Sequence, residues 1–319
     1  LASQSFVVSA AEAGQTVAAF VRTHLTGQTW TQVRRLILRR RVKVGGDLCT
    51  DAARRLAEGD TLLILDQSAP KPRQQHVLIH HLDEHMVVVE KPSGIATVRH
   101  PAEREWTSRR KAQNPSLDEL VSEIVDDDDR SAKRRSPRLR IVHRLDKETS
   151  GLVVFARTVA AERALGLQFK AHTVVRRYIA VIPGFLTSRR LESNLVRDRG
   201  DRRRGSTLTP GLGKRAVTHV EILERLGDYT MVACRLETGR THQIRIHLAE
   251  AGHPICGEKV YNRRLGMEPR EDTSGAPRLA LHAAELGFQH PAKQTPMHWT
   301  MVLPPDLENF VAGLRPGRR

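Results

Sequence analysis

Residues 141–158, IVHRLDKETSGLVVFART, set a charged centre between two apolar runs. Such a segment cannot be buried along its whole length. It reads as a strand, a tight polar loop and a second strand. Thr149, Ser150 and Gly151 supply turn chemistry, Gly151 being free to take a positive φ. Asp146 lies in the loop between Arg144 and Lys147. The flanking cations favour its ionised form, which suits nucleophilic or electrostatic work at a sugar or base.

The surrounding chain has the same texture. Val77–Ile79 and Met86–Val89 are short strand-like runs, the second broken by Glu90-Lys91-Pro92-Ser93-Gly94. Thr241–Ala251 reads as a helix closed by Gly252, with Ile244, Leu248 and Ala251 on one side. Many short strands with few long helices predict an α+β domain over 77–319. Residues 99–138 are polar and charge-segregated, with the acidic run Asp126–Asp129 followed by Lys133, Arg134 and Arg135. They are expected to form a solvated, mobile insertion with a short helix over Ser116–Val125, and the aspartates are assigned no chemistry.

Residues 1–66 form a separate small α/β module in this reading. Val17, Phe20, Val21 and Leu25 have helical spacing. A second helix, capped by Thr29 or Thr31, carries Val33, Leu36 and Ile37 on its apolar face. A strand over Val42–Val44, a Gly45-Gly46 turn and a closing strand over Thr61–Leu65 follow. Arg34, Arg35, Arg39, Arg40, Arg41 and Lys43 cluster in the helix-to-strand passage, enough to neutralise several phosphates without reading bases. Residues 67–76 have the Pro and polar content of a linker.

Composition narrows the partner. Over 319 residues, Lys+Arg 52 against Asp+Glu 36 gives a net charge of +16, which attracts polyanions. No apolar run reaches the roughly 18 residues of a spanning helix, so nucleic acid is favoured over membrane. Cys49, Cys234 and Cys256 are odd in number and far apart, which fits a reducing, cytoplasmic setting better than a disulfide framework. The 15 histidines include no HExxH spacing, so no metal is expected. No GxGxxG or P-loop sequence occurs, against a nucleotide-dependent enzyme. The chain opens on Leu1 rather than Met, so its true start is expected to be altered or upstream. No motif specifies an oligomeric state.

The loop motif HRLDKETSG, residues 143–151, matches the signature HRLDxxTSG of the RluA family of pseudouridine synthases at every fixed position. Four further blocks resemble that family in order. They are DEHMVVVEKPSG (83–94), RRYIA (176–180), TGRTHQIRIHLAEAGHPICGEKVY (238–261) and RLALHAAELGFQHP (278–291). Glu90 stands where Asn is commoner, Arg176 for the usual Lys and Glu258 for the usual Asp. Residues 5–66, through VRRLILRRRVKVGG and TLLIL, resemble the S-four-like RNA-binding domain.

The resemblance implies a pseudouridine synthase fold, a mixed, largely antiparallel sheet crossed by a basic cleft. It implies an isomerase that breaks the glycosidic bond of uridine, turns the uracil and rejoins it through carbon 5, without cofactor. Asp146 would be the catalytic carboxylate, and Tyr178 would stack on uracil and approach carbon 5. Arg245 would pair with Asp146, with Arg240 as the substitute for that role. Arg144 would occupy the place of the flipped base, and Ile244 would pack against uracil. His242 and His247 are left as structural or RNA-contacting. Large-subunit ribosomal RNA is the commoner target of members with the N-terminal module. Transfer RNA, or a non-catalytic role in RNA binding or ribosome assembly, are the alternatives.

Overall fold

The strand-length runs beyond residue 77 join one large sheet, because runs such as Met86–Lys91 and Ser150–Ala156 are apolar on both faces and need cover on both. The structure, a computed structural model, describes residues 3–68, 77–131, 138–262, 265, 268 and 271–315. The chain divides into two compact units, 1–76 and 77–319. Most of the expected linker, 69–76, lies outside the described residues.

The first unit contains β1 (Gln4–Val7), α1 (Val17–His24), α2 (Trp30–Leu38), β2 (Val42–Val44), β3 (Asp47–Leu48) and β4 (Thr61–Ile64). Its antiparallel sheet has the order β1-β4-β2-β3. Thr16 caps α1, and Thr29 caps α2 in a capping box with Gln32. Val17, Phe20, Val21, Val33 and Ile37 are buried beneath the two helices. Arg34, Arg35 and Arg39 are exposed, whereas Arg40, Arg41 and Lys43 are half-buried. Arg41 donates through Nε to the Leu65 carbonyl at 2.8 Å, so part of that cation serves the fold.

The second unit contains β5 (Leu78–Leu82), β6 (Met86–Lys91), α3 (Ser108–Gln113), α4 (Leu117–Ser131), β7 (Arg140–Ile141), β8 (Ser150–Ala156), α5 (Val159–Lys170), β9 (Val175–Pro183), β10 (Arg189–Val196) and β11 (Gly205–Thr207). It continues through β12 (Lys214–Leu226), β13 (Tyr229–Leu236), α6 (Gln243–Glu250), β14 (Leu281–Gln289), β15 (Pro296–Thr300) and α7 (Pro305–Leu314). The sheet runs β11-β10-β12-β13-β9-β14-β8-β6-β5, with β15 on β14 and β7 on β8. Among the described strands only β8 and β14 pair in parallel, so the expected mixed, largely antiparallel α+β architecture is what forms. One face of β6 and β8 is covered by Ala161 and Leu165 of α5. The opposite face packs Val87, Val89, Val153 and Phe155 in a core shared with α4, α6 and α7.

Two expectations need correction. The expected solvated insertion over 99–138 fails at α4, which buries Leu117, Val121 and Val125 in the main core, whereas residues 100–114 are mostly exposed. Those three recur at every fourth position, a helical stripe hidden in the sequence by the surrounding charge. Arg99, which precedes the helix, is joined through Nε to Glu119 Oε1 at 2.8 Å and also pairs with that carboxylate through Nη2. Asp126–Asp128 lie further along α4, while 132–137 fall outside the described residues. Gly151 is also not a turn residue. It sits inside β8 at φ 121°, and a Cβ there would come within 2.2 Å of the Ala283 carbonyl oxygen. Close backbone approach where β8 meets β14 explains its lack of a side chain.

Candidate active site

Asp146 is held by backbone clamps before any side chain touches its carboxylate. The segment just after β6 grips the loop from several directions. Thr97 Oγ1 donates to the Leu145 carbonyl at 2.8 Å and accepts from the Leu145 N–H at 3.0 Å. Gly94 N–H donates to the Lys147 carbonyl at 2.8 Å, and Ser93 Oγ to the Glu148 carbonyl at 2.7 Å. The fully buried Lys91 ammonium donates to the carbonyls of Pro92, Ile95 and Lys147 at 2.8, 2.7 and 2.9 Å. Burial pushes its pKa down to about 7, with Glu148 and Asp146 pulling it back up. The block EKPSG therefore acts as the seat of the carboxylate loop.

The carboxylate itself meets two cations or potential donors. Arg245 Nη1 lies 3.5 Å from Asp146 Oδ2, and His242 Nε2 lies 3.7 Å from Oδ1. Arg245 is in turn gripped by Glu258 in a two-point pair, Nε–Oε2 at 2.7 Å and Nη2–Oε1 at 2.6 Å. Burial works against the charge of both partners. Each nonetheless stabilises the other, so the Arg245 pKa is raised and the Glu258 pKa lowered. Glu258 Oε1 also accepts the Val260 N–H at 2.8 Å. The result is a chain of charges, Glu258–Arg245–Asp146, running from the interior to the loop.

His242 precedes α6 in the left-handed region, at φ 59°. Its Nδ1 is hydrogen-bonded to the Tyr261 hydroxyl at 2.7 Å, which leaves Nε2 facing Asp146. Burial lowers the His242 pKa, opposed by Asp146. The start of α6 is fixed by Gln243, whose Nε2 donates to the Val217 carbonyl at 2.9 Å and whose Oε1 accepts from Thr238 Oγ1 at 2.7 Å. His247, in the same helix, binds Thr218 and Ser193 hydroxyls at 2.9 and 3.0 Å. His247 is thus a structural residue of the second unit.

These elements enclose a cavity of about 410 Å³. The expected residues Arg144, Asp146, Tyr178, Arg240, Ile244 and Arg245 all line it, joined by Lys170, Arg176 and His242. Tyr178 and Ile244 are buried at 8% and 4% exposure and form its apolar wall. Burial lifts the Tyr178 hydroxyl to about 12, Arg176 opposing and Asp146 adding to the rise. Arg144 is exposed at the mouth. Arg240 is also exposed and donates to the Arg215 carbonyl at 3.1 Å, so the pair with Asp146 is made by Arg245 rather than by Arg240. Asp146 is the only acid among the described lining residues. A cationic, half-apolar pocket of this kind can hold a planar base against Tyr178 and Ile244 while its carboxylate acts on an attached sugar.

Away from this cavity, His81 Nε2, Asp83 Oδ2 and His290 Nε2 also converge within 4.8 Å. His290 Nδ1 accepts the N–H groups of Ala292 and Lys293 at 3.1 and 2.9 Å, which places its proton on Nε2, donating to Asp83 at 2.8 Å. No lone pair remains on that nitrogen for a metal. The cluster instead ties the end of β14 to the turn between β5 and β6. Sequence reasoning did not assign Lys91, Thr97, Glu258, His242 or Tyr261 to the site. The signal for Lys91, Glu258, His242 and Tyr261 lay inside the blocks at 83–94 and 238–261, whereas Thr97 lies three residues beyond the first block.

A family model described as RNA pseudouridylate synthase matches residues 85–250. A ribosomal large subunit pseudouridine synthase D of Neisseria meningitidis is 37% identical over 255 residues, covering 76% of this chain and 63% of that protein. The chain thus spans less than two thirds of that relative's length. A protein of the same name from Zymomonas mobilis is 34% identical over 272 residues, covering 82% of each chain. Among solved structures, human RNA pseudouridylate synthase domain containing 4 matches with a TM-score of 0.58 at 21% identity, over 74% of this chain and 92% of that one. That likeness concerns the fold.

Proposed function

The chain belongs to the RluA family of RNA pseudouridine synthases, and from that premise we propose that it isomerises particular uridines of large-subunit ribosomal RNA in the cytoplasm. The names of the Neisseria and Zymomonas relatives support this choice of RNA. The net charge of +16 supports a polyanionic substrate. No helix among the described residues is long and apolar enough to cross a membrane. The observation that carries the reading is the Glu258–Arg245–Asp146 chain at the floor of a cationic cavity.

The target uridine leaves its stack, at a cost of a few kcal/mol that is least in a loop. Arg144 at the mouth contacts the flipped nucleotide or takes its place. Uracil lies against Tyr178 and Ile244, and the Asp146 carboxylate acts at the ribose. Arg245 orients that carboxylate. The isomerisation changes no oxidation state and transfers no group from a donor, so the chain's own residues suffice for it. Residues 1–66 act as a separate RNA-binding module that raises the effective concentration of the substrate.

The test is pseudouridine mapping in unmodified ribosomal RNA incubated with the protein. Asp146→Asn is expected to abolish product while leaving RNA affinity within a few-fold. A wild-type rate in that variant would remove Asp146 from the chemistry. Product in transfer RNA alone would keep the chemistry and change the substrate.

A further inference from the structure

Among the described residues, Arg176 is the strongly buried cation of the cavity with nothing to bind. It is 8% exposed, and no hydrogen bond or ion pair joins its guanidinium to another described residue. Nε and Nη2 are buried without a hydrogen-bond partner. Its guanidinium carbon lies 5.6 Å from the centroid of the Phe169 ring. Arginine stays protonated in proteins, so a charge with no carboxylate partner among the described residues lines the cavity. The acid of the cavity, Asp146, is already engaged by Arg245.

The fold makes room for that charge. Arg176 and Tyr178 are two residues apart on β9, so both project from the same face into the cavity. Gly239 faces Arg176, and a Cβ at that position would lie 2.5 Å from Nη1. Gly239 does not need a positive φ, so its missing side chain reflects the space taken by the guanidinium.

We propose that Arg176 is a catalytic residue that stabilises the negative charge on uracil as the glycosidic bond breaks. This rests on the uridine-isomerase reading above. When the bond from C1′ to N1 breaks, its electron pair leaves on the base. This holds whether Asp146 bonds to C1′ or removes the proton from C2′. The resulting anion is shared by N1, O2 and O4, and a base stacked on Tyr178 presents a carbonyl oxygen to the neighbouring residue of the same strand. The base turns and C5 bonds to C1′, which releases the Asp146 carboxylate in the first case and returns the proton to C2′ in the second; the C5 proton is lost and N1 gains one, so atoms and charge balance. A donor without a partner in the resting site is matched to a charge that exists only during reaction.

The experiment compares single-turnover loss of the target nucleoside in two RNAs, one with uridine and one with 5-fluorouridine at the target. Fluorine makes the departing uracil anion more stable, so that substrate depends less on help from the protein. Arg176→Met is expected to slow uridine cleavage by about 10²–10³-fold. Its effect on 5-fluorouridine should be smaller by at least about tenfold, with RNA affinity within about threefold of wild type. Arg176→Lys should recover part of the rate. Gly239→Ala, which displaces Nη1 without removing the charge, should reproduce the unequal losses and covers the case in which Arg176→Met does not fold. Equal losses on both RNAs, or none, in folded variants would overturn the role. A wild-type protein that converts neither RNA would instead overturn the isomerase reading.

Discussion

At the scale of the residue, Asp146 is positioned through both its backbone and its carboxylate. Its peptide neighbours are held by Thr97, Ser93, Gly94 and Lys91, and its carboxylate by Arg245. The weakest point of that arrangement is Glu258. With 1% side-chain exposure it leaves Arg245 nowhere to find water if it is removed. Glu258→Ala is expected to destabilise the fold by about 3–5 kcal/mol, as removing one partner of a buried ion pair does. Glu258→Asp, one methylene shorter, should retain most of the stability but lower turnover by shifting Arg245. Urea unfolding and single-turnover rates measure the two effects. An unfolding midpoint unchanged in Glu258→Ala would show that Arg245 does not depend on it.

At the scale of the element, α4 and the histidines of α6 and β14 carry the clearest consequences. Leu117 is fully buried on α4, and Leu117→Ala is expected to cost about 2–5 kcal/mol. A loss below about 0.5 kcal/mol, the size of a surface change, would return α4 to the status of a peripheral insertion. His247 of α6 and His282 of β14 are buried, and burial lowers both pKa values to about 4. An unfolded histidine titrates near about 6.5. Above that pH both states are neutral and stability is complete. As pH falls from about 6.5 towards 4, the unfolded chain binds protons that the native chain refuses, and stability is lost. At pH 5 the loss should be about 2 kcal/mol for each histidine. Denaturant curves at pH 7.5 and pH 5.0 test this, and His282→Gln should flatten the difference if it folds.

At the scale of the whole molecule, charge and cavity divide the work. The exposed Arg34, Arg35 and Arg39 of the first unit contact phosphate in the proposed function, whereas the cavity of the second unit handles one nucleotide. Replacing these three arginines with alanine is expected to weaken RNA binding and reduce the salt slope by about 0.7–0.9 for each phosphate no longer neutralised. The rate on bound RNA should be unchanged. A salt slope equal to that of wild type would leave the three arginines as a solvated face.

The sequence by itself determined where the carboxylate loop lies, which strand-like runs flank it and which charged residues accompany it. These are local properties: alternation, turn chemistry and a motif read over a few residues. Thr29 as a cap and Val17, Phe20 and Val21 as a helix face were legible for the same reason. The tertiary structure decided what each of those residues touches. Arg245 and Glu258 are 13 positions apart and Lys91 and Lys147 are 56 apart, and only the folded sheet brings each pair together. Gly151 read as a turn residue because the Ala283 backbone, far along the chain, is what excludes a side chain there. The charged segment around α4 concealed its core stripe because burial depends on the partner surface, which no local pattern contains. Asp146 was visible as one acid in a motif, and the long-range contacts of the fold place it opposite Arg245 and beside an unpaired Arg176.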